Sequence, residues 1–595
     1  MRSLLTSKLI FSVALLMAIA LSAPLMGSNL RPFAVHAVSK TVSPAKRNAL
    51  CNRLGVSLHA SSGAEIYCNK GHTSIKSATK TITGNTASFG TNVDAATPSE
   101  DRSPAGVQAV GQSETSIAGI DSYVVEAWND STGFFAPCPS PMSKEEATGY
   151  GFSTNSGNSF VDEGGLPNAN CANDLYFGDP SVEAWHSGNS DYFYISSLYD
   201  SFTWDTPSYM ALTACQVTGT GGAAQLHCSQ PVIAATNTQC DQNNGCGFLD
   251  KEYLSIDPKH GRLYMSYTEF GSDPNNNLWN GQIELSVCDI GTPAGNHGPI
   301  GGTAATPVCE QGNGTAPYYV VAPAGDCVNQ GSYPAVDVAQ GDVYVAYEFN
   351  YFSNISSCPF TPTQNIVSYV PSSCLVLASV SSCNTTPRSE SVNIVSMLVS
   401  SIIGYSRWSL NDFPRIAVSD QANTVSMVWN DARFHPLGDI LLQSFSLVSL
   451  VPVQNAPLKI NSDTTGQPHL LPSVRNADAH GKLNIIWYDR RSYTTSAFTD
   501  VYAALALDPR ALTTPTKNTL VTSAPTNWLN VSSDIDPNFG DYTDSYVKAT
   551  ANSPYTGSTL YAAWSDGRLG FPQPFAASVA TSQAQRHSAT AYALA

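Results

Sequence analysis

The sequence predicts an all-β protein, a propeller of four-stranded blades in which seven blades are preferred over six, preceded by a short irregular N-terminal segment. Three observations carry this expectation. Only 13 % of the 595 residues are charged, and Ser, Thr, Asn, Gly and aromatic residues are plentiful, which suits strands joined by polar turns. One unit recurs seven times: a polar turn, a short strand often opened by Pro, a turn with Asp, Asn or Gly, then a strand ending in an aromatic and an acidic residue. Finally, strands such as Leu263–Tyr267, Val343–Tyr347 and Leu560–Trp564 are apolar on both parities, as sheets covered on both faces require.

Taken in order, the chain opens with Arg2 and Lys8, an apolar run from Leu9 to Leu21, and small residues at Ser22, Ala23 and Ala37. This pattern reads as a secretory signal spanning 1–37, with retention as an envelope anchor the alternative. No later segment has the length of a membrane span. Residues 38–113 are Ser/Thr/Ala-rich and weakly patterned; they read as a cysteine-bearing segment, with Cys51 and Cys68 a plausible local loop, followed by linker. The repeated units fill 114–582, and 583–595 form a tail.

The first unit ends at Asp130, and the others begin at Gly178, Asp250, Gly331, Asp412, Leu471 and Gly540. Each supplies two antiparallel strands, and the stretch before the next is long enough for two more. All fourteen cysteines lie between Cys51 and Cys383; an even number in a chain with a secretory signal reads as disulfides in an oxidising compartment. The tight pair Cys240 and Cys246 lacks the companion ligands a zinc site needs.

The net charge of -17 and the lack of a basic cluster exclude nucleic acid as a partner. No metalloprotease His spacing, Gly-x-Ser-x-Gly elbow or phosphate loop is present. Asn-x-Ser/Thr sequons stand at Asn129, Asn313, Asn354, Asn384 and Asn530.

Three features between about 114 and 580 resemble the sialidase-like, BNR-repeat propellers of secreted proteins. The first is Trp-x-Asp-x-Arg, present as Trp429, Asp431 and Arg433, as Trp487, Asp489 and Arg491, and as Trp564, Asp566 and Arg568. The second is 153–160, which resembles an Asp box: Ser153, Asn155 in place of the usual Asp, Gly157, and Phe160 in place of the usual Trp. The third is the set of unit openings Gly-Asp-Pro, Asp-Lys-Glu and Gly-Asp-Tyr. The resemblance implies a propeller fold and a carbohydrate-directed activity. It does not supply a catalytic set, because the family's early Phe-Arg-Ile-Pro motif is missing. Phe413, Pro414, Arg415 and Ile416 have another order and stand in the fifth unit.

In an antiparallel pair the second strand ends where the first begins, so both motif types are expected on one face. Asp179, Asp250, Glu252, Asp412, Arg415, Asp541 and Tyr542 should surround the channel mouth there. Asp130, Glu269, Glu348, Asp431, Asp489 and Asp566 should form a wider ring. As repeat fixtures, the Trp of each Trp-x-Asp-x-Arg packs between blades while Asp and Arg hold a turn. As an enzyme, a glycoside hydrolase would draw on Asp250, Glu252, Arg415, Arg491 and Tyr542, since a Tyr replaces the carboxylate nucleophile in sialidases. As a binding protein, Asp179, Asp412, Asp541, Asp431, Asp489 and Asp566 would help form a platform for a glycan or cell-surface protein. No cofactor is required; calcium as a structural support is the alternative for clustered carboxylates. A secreted monomer acting in extracellular recognition is the favoured expectation.

Overall fold

The computed structural model describes residues 89–98 and 110–580, apart from 136–145, 172, 202–207, 239, 242–244, 273–278, 292–300, 310–317, 326, 351–361, 376–387, 398–401, 407–411, 479, 494–496, 512–516, 536 and 549–558. The signal segment, the Cys51 and Cys68 loop and the C-terminal tail lie outside the described residues. Seven antiparallel blades form a ring. Their innermost strands are Gln112–Ile120, Ser181–Ser187, Phe248–Asp257, Asn329–Asp337, Arg415–Ser419, His469–Asn476 and Asp544–Val547. Each touches the innermost strand of the next blade, and the seventh touches the first. Each of the seven repeated units thus supplies the two inner strands of one blade.

One stretch differs from its linker reading. Val93–Asp94 pairs with Phe575 and Ala576 and forms the outermost strand of blade 7, whose other strands come from the far end of the sequence. Two residues carry no visible alternation, so the sequence gives no sign that they close the ring.

The blades pack face to face through large side chains. Trp128, Trp429, Trp487 and Trp564 occupy the same place near the end of the second strand in blades 1, 5, 6 and 7, and all are fully buried. A side chain of this size buries about 150–250 Å², worth roughly 5 kcal/mol gross at about 25 cal/mol per Å². In blades 2 and 3 the outer edge is also covalently tied, by Cys215–Cys228 and Cys288–Cys309, each joining residues that face one another in paired strands. Among the described residues no cysteine is free, which is compatible with an oxidising, extracellular setting. No described helix is long and apolar enough to cross a membrane.

A local irregularity positions the site. In blades 1, 3, 4 and 6 the innermost strand bulges at its entry, between Ser113 and Ser116, Asp250 and Tyr253, Gln330 and Tyr333, and Leu470 and Ser473. The bulges hold Glu114, Lys251, Gly331 and Leu471 at φ of 55°, 56°, 67° and 51°, and Asp179 just ahead of blade 2 has φ of 57°. Left-handed backbone costs a non-glycine residue about 1–2 kcal/mol, and bulges re-aim side chains.

Candidate functional site

Three of these re-aimed side chains meet at the entry of the channel. Lys251 Nζ lies 2.9 Å from Asp179 Oδ2, 2.9 Å from Asp541 Oδ2 and 3.4 Å from Glu114 Oε1, and all four side chains are at most 1 % exposed. Asn129 Nδ2 donates to Glu114 Oε2 at 2.6 Å and to Asp179 Oδ1 at 3.1 Å. One ammonium from blade 3 therefore ties together blades 1, 2 and 7. Burial by itself pushes the Lys251 ammonium down, but Asp179, Asp541 and Glu114 together hold it well above its ordinary value. Asn129 is buried in this cluster, so the folded chain does not present that sequon.

Beneath the clasp the channel is filled by aromatic rings and arginines. Tyr253 packs on Tyr333 and Tyr542, with ring centroids 4.9 and 5.2 Å apart. Arg415 stacks over Tyr253, Tyr333 and Tyr542 at 4.3, 5.0 and 5.6 Å and donates from Nη2 to the Tyr253 hydroxyl at 2.6 Å. Deeper still, Ser116 Oγ donates to Asp544 Oδ2 at 2.7 Å, and Arg475 Nη2 lies 3.3 Å from Asp544 Oδ1. Arg475 also donates to Tyr333 Oη and, at 2.6 Å, to the Ser545 carbonyl.

The channel opens at its other end, where the inner strands turn into their hairpins. A solvent-open depression is lined there by Glu183, Ser255, Arg475, Asn476 and Tyr546, with an apolar wall from blades 4 and 5. Tyr546 Oη donates to Glu183 Oε2 at 3.2 Å. Burial, opposed by Arg475 and reinforced by Asp544, pushes the Glu183 carboxyl up to about 7. Its ionisation thus falls in the neutral range, beside a guanidinium that burial alone would lower but that Tyr333, Asp544 and Glu183 hold above its ordinary value.

The sequence-predicted residues separate into groups. Asp179, Asp541, Tyr542 and Arg415 converge on the channel. Asp250 accepts from Gln330 Nε2 at 2.6 Å, and Glu252 is buried beside Asp179, with burial first and Asp179 second pushing its carboxyl well up. Asp412 sits further out with Asn430 and Glu348, pushed up by burial and then by Glu348.

Asp431, Asp489, Asp566 and Arg491 are not brought to the channel. In each Trp-x-Asp-x-Arg copy the indole N–H donates to one carboxylate oxygen, at 3.0, 2.7 and 2.9 Å, and the Arg backbone N–H to the other, at 2.8, 2.8 and 2.9 Å. The guanidinium closes back on the carboxylate at 2.7, 2.6 and 2.6 Å. At 153–160, Ser153 Oγ accepts from Gly157 N at 3.0 Å and Asn155 Oδ1 from Ser159 N at 3.0 Å, while Phe160 packs beside Trp128.

Among the described residues, one group has metal-like spacing: Asp463, His469 and Asp489. His469 Nδ1 faces the Gly438 carbonyl at 3.0 Å and Nε2 faces Asp463 at 2.9 Å. Burial lowers its pKa, but Asp489 and Asp463 outweigh this and raise it. At the channel entry Lys251 likewise provides a cation for the carboxylates from within the chain.

Glu114, Lys251, Glu183, Arg475 and Tyr546 escaped the sequence reading. For the four charged residues the available signal was a charge at the entry or middle of an inner strand that is otherwise apolar or small; Tyr546 carried none.

No protein-family model matches the chain, and no curated protein matches it. Solved structures do. Trypanosoma rangeli sialidase in complex with the inhibitor DANA is similar at 10 % sequence identity and a TM-score of 0.35, over 73 % of this chain and 58 % of that one. A Hadza microbial sialidase gives 10 % identity and 0.35 over 67 % and 64 %. The alpha-L-arabinofuranosidase from Lactobacillus brevis gives 10 % and 0.29 over 60 % and 93 %. The chain spans less than two thirds of the length of either sialidase.

Proposed function

We propose that the protein is a secreted propeller that recognises carbohydrate at the hairpin end of its channel and performs no chemistry at the entry end. The observation that carries this reading is how the two cations at and beneath the entry end are engaged. Lys251 is clasped by three carboxylates, and Arg415 is sandwiched by three tyrosines, each at most 3 % exposed. The hairpin end differs in its access to solvent: Arg475, 17 % exposed, and Asn476, partly exposed, border a depression there beside the Tyr546 hydroxyl and an apolar wall. Such a mixture suits a ring with one polar edge and one apolar face.

The deciding experiment is a glycan panel titrated against the purified protein, with Arg475→Met and Asn476→Ala alongside. Selective binding weakened about tenfold or more in both folded variants, the loss expected for a hydrogen bond to a charged group, supports the reading. Binding unchanged in both variants, or no binding at all, overturns it.

A glycoside hydrolase is the second reading, favoured by the Glu183 carboxyl held near 7 within hydrogen-bond reach of Tyr546. It requires turnover of a fluorogenic glycoside that falls above pH 7 as Glu183 ionises and vanishes in Glu183→Gln. Turnover unaffected by Glu183→Gln removes it.

A further inference from the structure

The repeat exposes one residue that it does not need. Between the Asp and the Arg of Trp-x-Asp-x-Arg, blade 5 carries Ala432 and blade 7 Gly567, whereas blade 6 carries Arg490. The three motifs close in the same way, so the turn does not require that guanidinium. Arg490 is 2 % exposed. Its Nε donates to Thr499 Oγ1 at 2.9 Å and its Nη1 to the Ile403 carbonyl at 2.7 Å, both uncharged acceptors, while Nη2 has no acceptor. Among the described residues no carboxylate pairs with it, in contrast to Arg433, Arg491 and Arg568. Burial pulls its pKa down to about 10.

Trp528 supplies an independent observation. It too is 2 % exposed, and its indole N–H has no acceptor. Its backbone N–H donates to the Ala497 carbonyl at 3.3 Å, the same oxygen that Thr499 Oγ1 meets at 3.3 Å. Gly404, next to the carbonyl that Arg490 holds, packs so closely that a Cβ there would lie 3.0 Å from the Cβ atoms of both Ala497 and Trp528. Both residues therefore pack against the same wall, 403–404 on one side and 497–499 on the other. The Ile403 side chain is 48 % exposed, so the strap over this wall reaches solvent.

Two buried N–H donors, one of them charged, lack acceptors in the same neighbourhood. Water accepts from both but leaves the charge unbalanced, whereas an oxyanion answers both needs. We propose that Arg490 and Trp528 form an anion site at the entry face of blade 6, taking a compact oxyanion: sulfate, phosphate or a carboxylate. The site is separate from the hairpin-end depression and stands whether or not the protein binds carbohydrate there.

The test is calorimetric titration and thermal shift of the full chain with sodium sulfate, phosphate and acetate against chloride at constant ionic strength, with glucuronate as a carboxylate carried on a sugar. Wild type should bind at least one oxyanion saturably. Arg490→Met should weaken it about tenfold or more, as loss of a charged hydrogen bond does. Trp528→Phe, which keeps the ring packing and deletes only the N–H, should weaken it severalfold. Glucuronate binding more tightly than acetate would assign the anion to an acidic sugar; weaker binding would assign it to a free ion. No saturable oxyanion binding by wild type, or equal binding by wild type and Trp528→Phe, overturns the proposal, and Trp528→Phe decides even if Arg490→Met fails to fold.

Discussion

Blades 5 to 7 and blades 2 and 3 hold their peripheral segments in different ways. The three C-terminal blades contain no cysteine and carry three copies of one Trp-Asp-Arg lock. Blades 2 and 3 lack the lock and tie an outer strand to the third by a disulfide. The lock fixes the turn after the second strand, on the entry face; the disulfide fixes the sheet edge. The C-terminal half of the ring, blades 5 to 7, therefore depends on ion pairs, and the N-terminal half, through blades 2 and 3, on bonds that a reductant cuts. Lys251 is where the two halves meet, since it stands on blade 3 and binds carboxylates from blades 1, 2 and 7.

Removing that junction is expected to have the largest effect. Lys251→Met leaves Glu114, Asp179 and Asp541 buried around an apolar side chain, and an uncompensated buried charge of this kind costs about 3–5 kcal/mol. Urea unfolding of the variant should show a single transition at lower midpoint. A midpoint loss smaller than that of a lock variant would mean that the clasp does not couple the halves.

The seven units were readable because each repeats a pair of four- to twelve-residue strands. Outer strands such as Leu458–Lys459 and Val93–Asp94 were not, since two residues have no period. At the entry, Asp179, Asp250, Glu252 and Asp541 stood out within short motifs, but Lys251 between two acids reads as a solvated turn. Glu114, in Ser-Glu-Thr, resembles neither Gly-Asp-Pro nor Asp-Lys-Glu; only the bulge makes these positions equivalent. Whether a carboxylate ring faces water or closes on a lysine is decided by long-range packing, which local pattern does not encode.

The next effect separates the halves. Asp489→Ala and Asp566→Ala each release an indole N–H, a backbone N–H and a guanidinium that is 13 % or 17 % exposed, for a loss of about 2–4 kcal/mol. The same loss should appear with and without reductant. Burial raises the Asp566 pKa, but Arg568 and the other donors outweigh it and leave the pKa lowered. The contribution of the Asp566 lock is thus present above the unfolded pKa near 3.8 and is lost as pH falls through the folded value. Cys215→Ala/Cys228→Ala should cost a similar amount, about 3 kcal/mol, because a cross-link across 13 residues restrains an unfolded loop of that length. Its loss should equal that produced in wild type by reducing this bond alone, and it should not change between pH 4 and 6. A reductant-sensitive Asp566→Ala deficit would erase the distinction between the halves.

The smallest effect belongs to the seam where the ends of the chain meet. Asp94, on the closing strand, is pushed up to about 7, first by burial and then by Asp566 and Asp162, although the Ala96 N–H and Arg568 oppose this. Its sign is opposite to that of the lock. A carboxyl whose folded pKa is raised keeps its contribution below the unfolded pKa and loses it as pH rises from about 4 to about 7. Asp94→Asn preserves the acceptor for Ala96 N, which lies 3.2 Å from Asp94 Oδ1, and cannot ionise. It should match wild type at pH 4, where the carboxyl is neutral, and exceed it at pH 8 by about 1–2 kcal/mol once partial exposure and screening are discounted. Urea midpoints of the two proteins at both pH values measure this directly. A variant no more stable than wild type at pH 8 would show that the seam accommodates the charge, and that titration distinguishes the halves only through the locks.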